Sequence, residues 1–230
     1  MVIKLTPDAY TRISTAIAAA ETRTSGEIFC VLARRVSSYR DVSLAWAAAA
    51  ALILPLGLIP LGFEPAWIPG VADGWQAAHL AATDAMVGHA LAAYAVIQAV
   101  IFLVVYLLAR LPGVLHLITP RSVRRARVRK AALQQFLAHG LHVTQERTGV
   151  LIFAALADHQ VEVIADEGIH AKVDQSTWAD VVDAMTQHLK QGDPSGGFEA
   201  AVELCATVLA AHFPPKAANP DEVENKLVVI

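Results

Sequence analysis

Two long apolar segments interrupt a chain in which hydrophobic and polar positions otherwise alternate in short runs. Residues 42–63 and 85–109 contain no charged side chain. Each is long enough to cross a hydrocarbon core of about 30 Å as a helix. The alternative is a pair of buried helices in a soluble protein, but such helices rarely have apolar runs of this length. The pattern therefore predicts two transmembrane helices joined by a short loop.

The positions of lysine and arginine predict how the helices are oriented. Neither residue type occurs between Arg40 and Arg110, whereas both flanks are rich in them. The intervening loop carries Glu64, Asp73 and Asp84 instead. Because basic residues favour the cytoplasmic side, we expect a multi-pass protein of the cell (inner) membrane with cytoplasmic N- and C-termini.

The remaining segments predict one α/β domain that the hairpin interrupts. A helix start at Thr6-Pro7 and a strand over 27–36 precede the first span. A helix over 121–139, two strands after Thr148 and two helices after Ser176 follow the second span. A helix with a single strand cannot bury a core alone. We therefore expect a small mixed sheet sandwiched by helices, with the first strand parallel to the strand that starts at residue 150, and the next strand antiparallel to it. The last four residues, 227–230, could add an edge strand or dock on the domain.

The predicted organisation has four parts. Residues 1–40 form the first part of the α/β domain, residues 41–110 the hairpin, residues 111–213 the second part and residues 214–230 a C-terminal tail. In the helix over 121–139, the apolar residues predict a buried side made of Ala126, Leu133, Phe136 and Leu137.

Several of these segments resemble a known family. The run RTGVLIFAALADHQVEVIADEGI, from Arg147 to Ile169, resembles the strand–acidic turn–strand signature of the TPM domain. Ser25–Ile28 is similar to the start of that family's first strand, and Gly192–Phe198 to the glycine-rich step before its last helix. The whole chain resembles the bacterial membrane-embedded TPM proteins. The resemblance implies an α/β sandwich, and an activity either as an acid phosphatase or as an assembly or accessory factor of membrane complexes.

Candidate chemistry is confined to carboxylates and to one basic stripe. Glu27, Asp158, Asp166, Glu167 and Asp174 lie near predicted strand ends and turns. If the fold brings some of them together, their oxygens could hold Ca²⁺ or Mg²⁺, which a phosphatase would use to polarise phosphate and activate water. The alternative is that they are ordinary turn and helix-end carboxylates.

The basic stripe comprises Arg121, Arg125 and Arg129, four residues apart on the predicted helix over 121–139. Like charges at this spacing repel each other, and anionic lipid headgroups would relieve the repulsion. We therefore expect these side chains to face lipid headgroups. Nucleic acid is excluded as a partner because the basic run has no interleaved aromatic residues and follows a predicted membrane span.

Two classes of function follow from these observations. The first is a non-catalytic binding or assembly module, held in the bilayer by a hairpin that could also contact other membrane proteins. The second is a metal-dependent phosphatase. The composition, 55% hydrophobic and 17% charged, agrees with a membrane protein but does not separate these two classes.

Overall fold

The computed structural model describes residues 5–58, 83–216 and 222–230. It divides into two compact units, one formed by residues 1–37 with residues 121–230 and the other by residues 38–120. Residues 59–63 of the first predicted span and most of the predicted loop lie outside the described residues.

The first unit combines four strands with five α-helices within the described ranges. The helices are α1 Pro7–Glu21, α5 Arg121–Ala138, α6 Glu167–His170, α7 Ala179–Lys190 and α8 Pro194–His212, and the strands are β1 Glu27–Ala33, β2 Gly149–Ala155, β3 Gln160–Ala165 and β4 Leu227–Val229. The second unit holds α2 Arg40–Leu58, α3 Thr83–Ala109 and α4 Pro112–Ile118.

The four strands form one mixed sheet in the order β3-β2-β1-β4. β1 pairs in parallel with β2 over its whole length, from Glu27 opposite Gly149 to Ala33 opposite Ala155. β3 is antiparallel to β2, and the C-terminal β4 is parallel to β1. The predicted parallel and antiparallel pairings and the edge strand from the last residues are therefore confirmed. β1 precedes the hairpin in the chain, whereas the other three strands follow it. The sheet therefore forms only when segments from both sides of the hairpin come together.

Side chains of alternate parity on the strands fill two cores, one on each face of the sheet. Ile28, Cys30 and Leu32 face a large core that α1, α7 and α8 cover, with the wholly buried Trp178 and Phe198. Phe29 and Val31 face a smaller core that α5 covers. Such continuous burial on both faces explains why β2, and β1 after Glu27, are apolar rather than alternating. The predicted α/β fold with helices on both faces of a small mixed sheet is confirmed.

Local geometry determines where α8 begins and how β2 connects to β3. The glycine-rich step was expected to precede the last helix, but α8 already begins at Pro194, because the Asp193 carboxylate accepts a 3.0 Å hydrogen bond from the Gly196 amide. The β2–β3 connection has four residues, Leu156 to His159. His159 adopts a left-handed conformation there, with φ of 50°, which supplies the turn geometry that a glycine usually provides.

The buried side of α5 differs from the one predicted. Leu133 and Leu137 are about half exposed and Ala126 is exposed, and of the four predicted residues only Phe136 is buried. The buried residues are Arg124, Val128, Ala132 and Phe136, which follow each other at intervals of four, and the last three belong to the smaller core. The buried side of α5 is therefore not the side with the most leucine.

In the second unit, α2 and α3 pack against each other through small residues. Ala47, Ala51 and Ala93 are buried, which lets two helix backbones approach closely. The Ser43 hydroxyl donates a hydrogen bond to the Ala109 carbonyl at 3.5 Å, and the Trp46 indole donates one to the Ile118 carbonyl at 3.3 Å. Small residues of the hairpin are thus used within the pair itself.

The outer surfaces of α2 and α3 are aliphatic. Within the described side chains, ten large aliphatic residues are about half exposed or more: Leu52, Ile53, Leu54, Leu56, Val96, Val100, Leu103, Val104, Leu107 and Leu108. Both helices contain stretches that are long and apolar enough to cross a membrane, Arg40–Gly57 and Ala92–Ala109.

Candidate functional site

One edge of the sheet gathers three of the five predicted carboxylates, Glu27, Asp166 and Glu167. β1 and β2 begin at this edge and β3 ends there, because β3 runs antiparallel to β2. Glu27 lies opposite Gly149, and the Asp166 amide donates a 2.9 Å hydrogen bond to the Gly149 carbonyl. Glu27 and Asp166 are therefore two strands apart, about 10 Å across the sheet. Both residues are buried.

An arginine engages Asp166 and its neighbour. Asp166 accepts a 2.7 Å hydrogen bond from the Glu167 amide, which starts α6. The Arg147 guanidinium lies 3.2 Å from a carboxylate oxygen of Asp166 and 3.2 Å from one of Glu167. Arg147 itself has a left-handed backbone, with φ of 57°. Both carboxylates are thus engaged by Arg147, and that of Asp166 also caps the start of α6.

Gly168 is needed for the tight approach of this segment to the chain before β2. A Cβ at this position would lie 2.4 Å from the Glu146 carbonyl oxygen and 2.7 Å from that of Arg147. The Gly168 amide also donates a 3.1 Å hydrogen bond to the Arg147 carbonyl. The segment from Asp166 to Gly168 thus packs closely against the chain before β2 and is hydrogen-bonded to it.

The other two predicted carboxylates lie elsewhere. Asp158 is buried in the β2–β3 turn, at the end of the sheet opposite Asp166. The six paired residues between these two sites correspond to about 20 Å of strand. Asp174 is exposed and lines a surface depression with its four predecessors from His170 onward. The fold therefore does not bring all five carboxylates into a single site.

A cluster suited to a metal ion is absent from the described part of the chain. Within residues 5–58, 83–216 and 222–230, His, Cys, Asp and Glu side chains form no group of three or more with the geometry to hold an ion. Hard cations such as Ca²⁺ and Mg²⁺ usually have several oxygen ligands. Glu27 and Asp166, with Arg147 beside Asp166, do not make up such a set.

The arginine stripe on α5 has an internal counter-charge that the sequence analysis missed. Glu162 on β3 lies opposite Phe153 of β2, on the sheet face that α5 covers. Its carboxylate is 3.8 Å from Arg125 and 3.4 Å from Arg129, and it is largely buried. The two guanidinium groups remain mostly exposed, and Arg121 is exposed at the first residue of α5.

A sequence signal for Glu162 existed in the alternation of the segment VEVIAD. Val161 and Val163 belong to the large core, so the intervening Glu162 points to the opposite face. Its partners on α5 are apparent only in the fold, because the connection between the parallel strands β1 and β2 places α5 over that face. The stripe is therefore neutralised in part by the domain itself.

Other charged groups stabilise helix ends and loops rather than form a cleft. The amide of Gly196 and the nearby Ser195 and His188 lower the pKa of Asp193, the residue that caps α8. A hydrogen bond from Lys216 lowers the pKa of Glu146. Burial raises the pKa of both the Cys30 and Cys205 thiols, and both cysteines are free. Such thiols are poor nucleophiles, so neither cysteine has catalytic character.

Comparison with known proteins agrees with the resemblance of the segment between Arg147 and Ile169. A family model described as the TPM domain matches residues 114–208. The matched range contains α5, β2, β3, α6 and α7 and most of α8, and it does not include β1. No curated protein matches the chain.

One solved structure supports the fold. The NMR structure of the BA42 protein from the psychrophilic bacterium Bizionia argentinensis is similar to this chain, with a TM-score of 0.56 and 18% sequence identity. The similarity covers 100% of this chain and 99% of that chain. At this identity the similarity concerns the fold alone. The family match therefore concerns residues 114–208, and the solved structure adds support for the fold of the chain.

Proposed function

We propose that this protein is an integral membrane protein whose α/β domain is a non-catalytic binding or assembly module of a membrane complex. In this proposal α2 and α3 cross the cell (inner) membrane, and both termini lie in the cytoplasm. The observation that carries it is the exposed aliphatic surface of the two helices.

A soluble protein would have to leave this surface in water. Only 22% of the span window on α2 and 11% of that on α3 are buried, whereas the core helices of soluble proteins bury their apolar side chains. Contiguous exposed apolar surface of this kind marks contact with a membrane or another protein. Lipid tails, or helices of a partner within the bilayer, would cover it.

The pairing of β1 with β2 supports the proposed topology. β1 precedes the two helices in the chain and β2 follows them, yet they pair along their full length. If α2 and α3 each cross the bilayer once, both flanks return to the same side, and the sheet can form there. The absence of Lys and Arg between Arg40 and Arg110 favours the cytoplasm for that side.

The phosphatase alternative has no supporting geometry among the described residues. A metal-dependent phosphatase needs carboxylates that converge on one ion. Asp158 and Asp166 instead lie at opposite ends of the β2–β3 hairpin, and Asp166 forms an ion pair with Arg147. A binding role requires no such convergence, which is why we prefer it.

Labelling of single introduced cysteines in intact cells tests the topology. Thr11→Cys and Thr207→Cys lie on exposed positions of α1 and α8, and Gly74→Cys lies between the two spans in the sequence. We expect a membrane-impermeant maleimide to label residue 74 from outside, and residues 11 and 207 only after permeabilisation. Opposite accessibility of residues 11 and 207 would contradict the topology, as would purification of the wild-type protein as a detergent-free monomer.

The binding role and the absence of catalysis need a separate measurement. The full chain is extracted in a mild detergent and sized, and hydrolysis of p-nitrophenyl phosphate is measured with Mg²⁺ and with Ca²⁺. We expect a complex larger than the detergent-bound monomer and no hydrolysis above that of heat-denatured protein. Hydrolysis that disappears in Asp166→Asn would overturn the non-catalytic proposal, and a strictly monomeric extract would overturn the assembly role.

A further inference from the structure

The short helix α4 has an apolar side that the described part of the protein leaves uncovered. At about 100° per residue, its large apolar residues lie within an arc of about 160°: Val114, Leu115, Leu117 and Ile118. His116 lies opposite the middle of this arc. None of the seven residues of α4 is buried, and Leu117 is 84% exposed. α4 is therefore an amphipathic helix whose apolar side is open to a partner.

α4 is a separate helix rather than a continuation of α3. The backbone of Leu111, which precedes α4, is extended. Pro112, the first residue of α4, has no amide hydrogen with which to continue the hydrogen bonds of α3. At the other end, the Thr119 hydroxyl donates a 2.6 Å hydrogen bond to the Leu115 carbonyl, and Pro120 follows. α4 is therefore bounded at both ends and can take a direction different from that of α3.

Hydrogen bonds to α2 show where α4 lies along the hairpin. The bond from Ser43 to the Ala109 carbonyl sets the start of α2 beside the end of α3. The bond from the Trp46 indole to the Ile118 carbonyl sets the last residue of α4 beside the same part of α2. A chain that continued along the axis of α3 would instead place Ile118 about 13 Å beyond Ala109. α4 therefore lies across the end of the hairpin rather than extending away from it.

Residues typical of a membrane interface lie at this end of the hairpin. The Trp46 side chain is about half exposed, and the Arg110 guanidinium lies 5.6 Å from the centre of the Tyr106 ring. Tryptophan and tyrosine are enriched where hydrocarbon meets the headgroups, and arginine near the end of a span extends toward that zone. Residues 111–119 contain no Asp, Glu, Lys or Arg. If α2 and α3 cross the bilayer, α4 therefore lies at its surface.

We propose that α4 lies in the plane of the bilayer surface, with its apolar side inserted among the lipid chains next to the headgroups. Amphipathic helices of this kind bury their apolar side about 5–10 Å into that zone. The partner is lipid, because exposed leucines continue from Leu107 and Leu108 of α3 through Leu111 to Leu117. This inference rests on the proposed membrane location of α2 and α3. It gives the hairpin a contact with the bilayer surface in addition to its two spans.

Fluorescence quenching at two neighbouring positions of α4 tests this proposal. Leu117→Cys and its matched control His116→Cys, each in the full chain, are labelled with a nitrobenzoxadiazole dye and reconstituted into vesicles of phosphatidylethanolamine and phosphatidylglycerol. The quenchers are iodide on both sides of the membrane and phosphatidylcholine with a nitroxide either near the headgroup or near the end of the chain. Wild-type protein treated in the same way reports any label on Cys30 and Cys205, and melting temperatures verify that both variants fold.

The two labels should report different surroundings. We expect the nitroxide near the headgroup to quench the label at residue 117 about twofold or more than the label at residue 116, because only the apolar side enters the lipid. Iodide should quench the label at residue 116 more strongly than the label at residue 117. Consecutive residues are about 100° apart around a helix, so a helix surrounded by water would instead give both labels similar access to iodide.

Two further labelled positions separate this inference from the proposed membrane location. Val100→Cys, near the middle of the α3 window, should be quenched most by the nitroxide near the chain end, and Thr207→Cys on α8 by iodide alone. Quenching by iodide alone at residue 117, with lipid quenching at residue 100, would overturn the in-plane helix and leave the membrane location standing. Quenching by iodide alone at both positions would overturn both proposals. A label at residue 117 that no quencher reaches would indicate cover by protein and would overturn lipid as the partner.

Discussion

Arginine substitutions on the exposed side of α3 provide the sharpest test of the membrane location. Val100 and Val104 are 55% and 49% exposed and lie one helical turn apart near the middle of the window Ala92–Ala109. In water, an arginine at such an exposed position costs little. In lipid, an arginine at the centre of a span is costly. The substitution is therefore tolerated if α3 is exposed to water and strongly unfavourable if α3 lies in lipid.

The size of the effect can be worked out from the span. Residues 92–109 contain ten Leu, Ile, Val and Phe residues, which together favour insertion by about 3–6 kcal/mol on the biological scale. One central arginine costs about 2.5–3.5 kcal/mol, so Val100→Arg alone leaves insertion near balance. Val100→Arg with Val104→Arg costs about 5–7 kcal/mol plus the lost valines. The cost of the double substitution is therefore comparable to or larger than the favourable free energy of insertion.

The assay combines carbonate extraction with labelling of Thr207→Cys in intact cells. We expect the double arginine variant to lose carbonate resistance or, if α2 alone still inserts, to expose residue 207 to the impermeant maleimide. Leu133→Arg with Leu137→Arg is the matched control, because these residues are also one turn apart and 48% and 49% exposed but lie on α5, outside the spans. A double Val100 and Val104 variant that behaves like this control would refute the membrane assignment of α3.

Three further predictions concern the folded domain. Gly149→Ala should lower the free energy of unfolding by about 1–3 kcal/mol, because the added Cβ would lie 2.4 Å from the Leu141 carbonyl oxygen; thermal unfolding in detergent measures it. Asp193→Ala should cost about 0.5–2 kcal/mol near neutral pH. Because the folded pKa of Asp193 is lowered, this contribution is present above the unfolded pKa of about 3.9 and is lost as the pH falls through the folded value, so the variant and the wild type should converge in acid. Cys30 and Cys205 should resist N-ethylmaleimide in the folded protein and react after denaturation, because both are wholly buried.

Each of these predictions has its own control. Gly113→Ala, where the added Cβ meets no atom within 4 Å, should leave the melting temperature nearly unchanged, and equal losses at both glycines would rule out the steric explanation. Asn is as good a helix cap as Asp, so Asp193→Asn should keep most of the stability but lose its acid dependence. Rapid modification of either cysteine in the native protein would contradict its burial.

The order and type of most elements could be predicted from the chain alone. Local signals were sufficient for them: charge-free runs over 42–63 and 85–109, a cap at Thr6-Pro7, and apolar runs for β1 and β2. The parallel pairing of β1 and β2 followed from the need of a lone helix and strand for partners. Each of these inferences depends on neighbours in sequence or on a count of elements.

The candidate site was less predictable. Five carboxylates at predicted strand ends and turns looked equivalent in sequence, but antiparallel pairing sends Asp158 and Asp166 to opposite ends of the same hairpin. Arg147 is close in sequence to β2, and only the fold sets it beside Asp166 and Glu167. The antiparallel pair itself was predicted, but which side chains lie beside each other at its two ends depends on the packing of the whole domain.

The sequence by itself determined the apolar hairpin, the strands and the excess of basic residues on α5, because hydrophobic and charged periodicity are properties of consecutive residues. Tertiary structure alone decided which side of α5 meets the sheet, where Val128 and Ala132 are buried and Leu133 is not. It also decided that Glu162 partners two arginines while Arg127 and Lys130 line a groove with Ser37. The physical reason is that these contacts join residues 30 to 90 positions apart, and their geometry depends on strand register and helix rotation, which the packing of the whole domain sets.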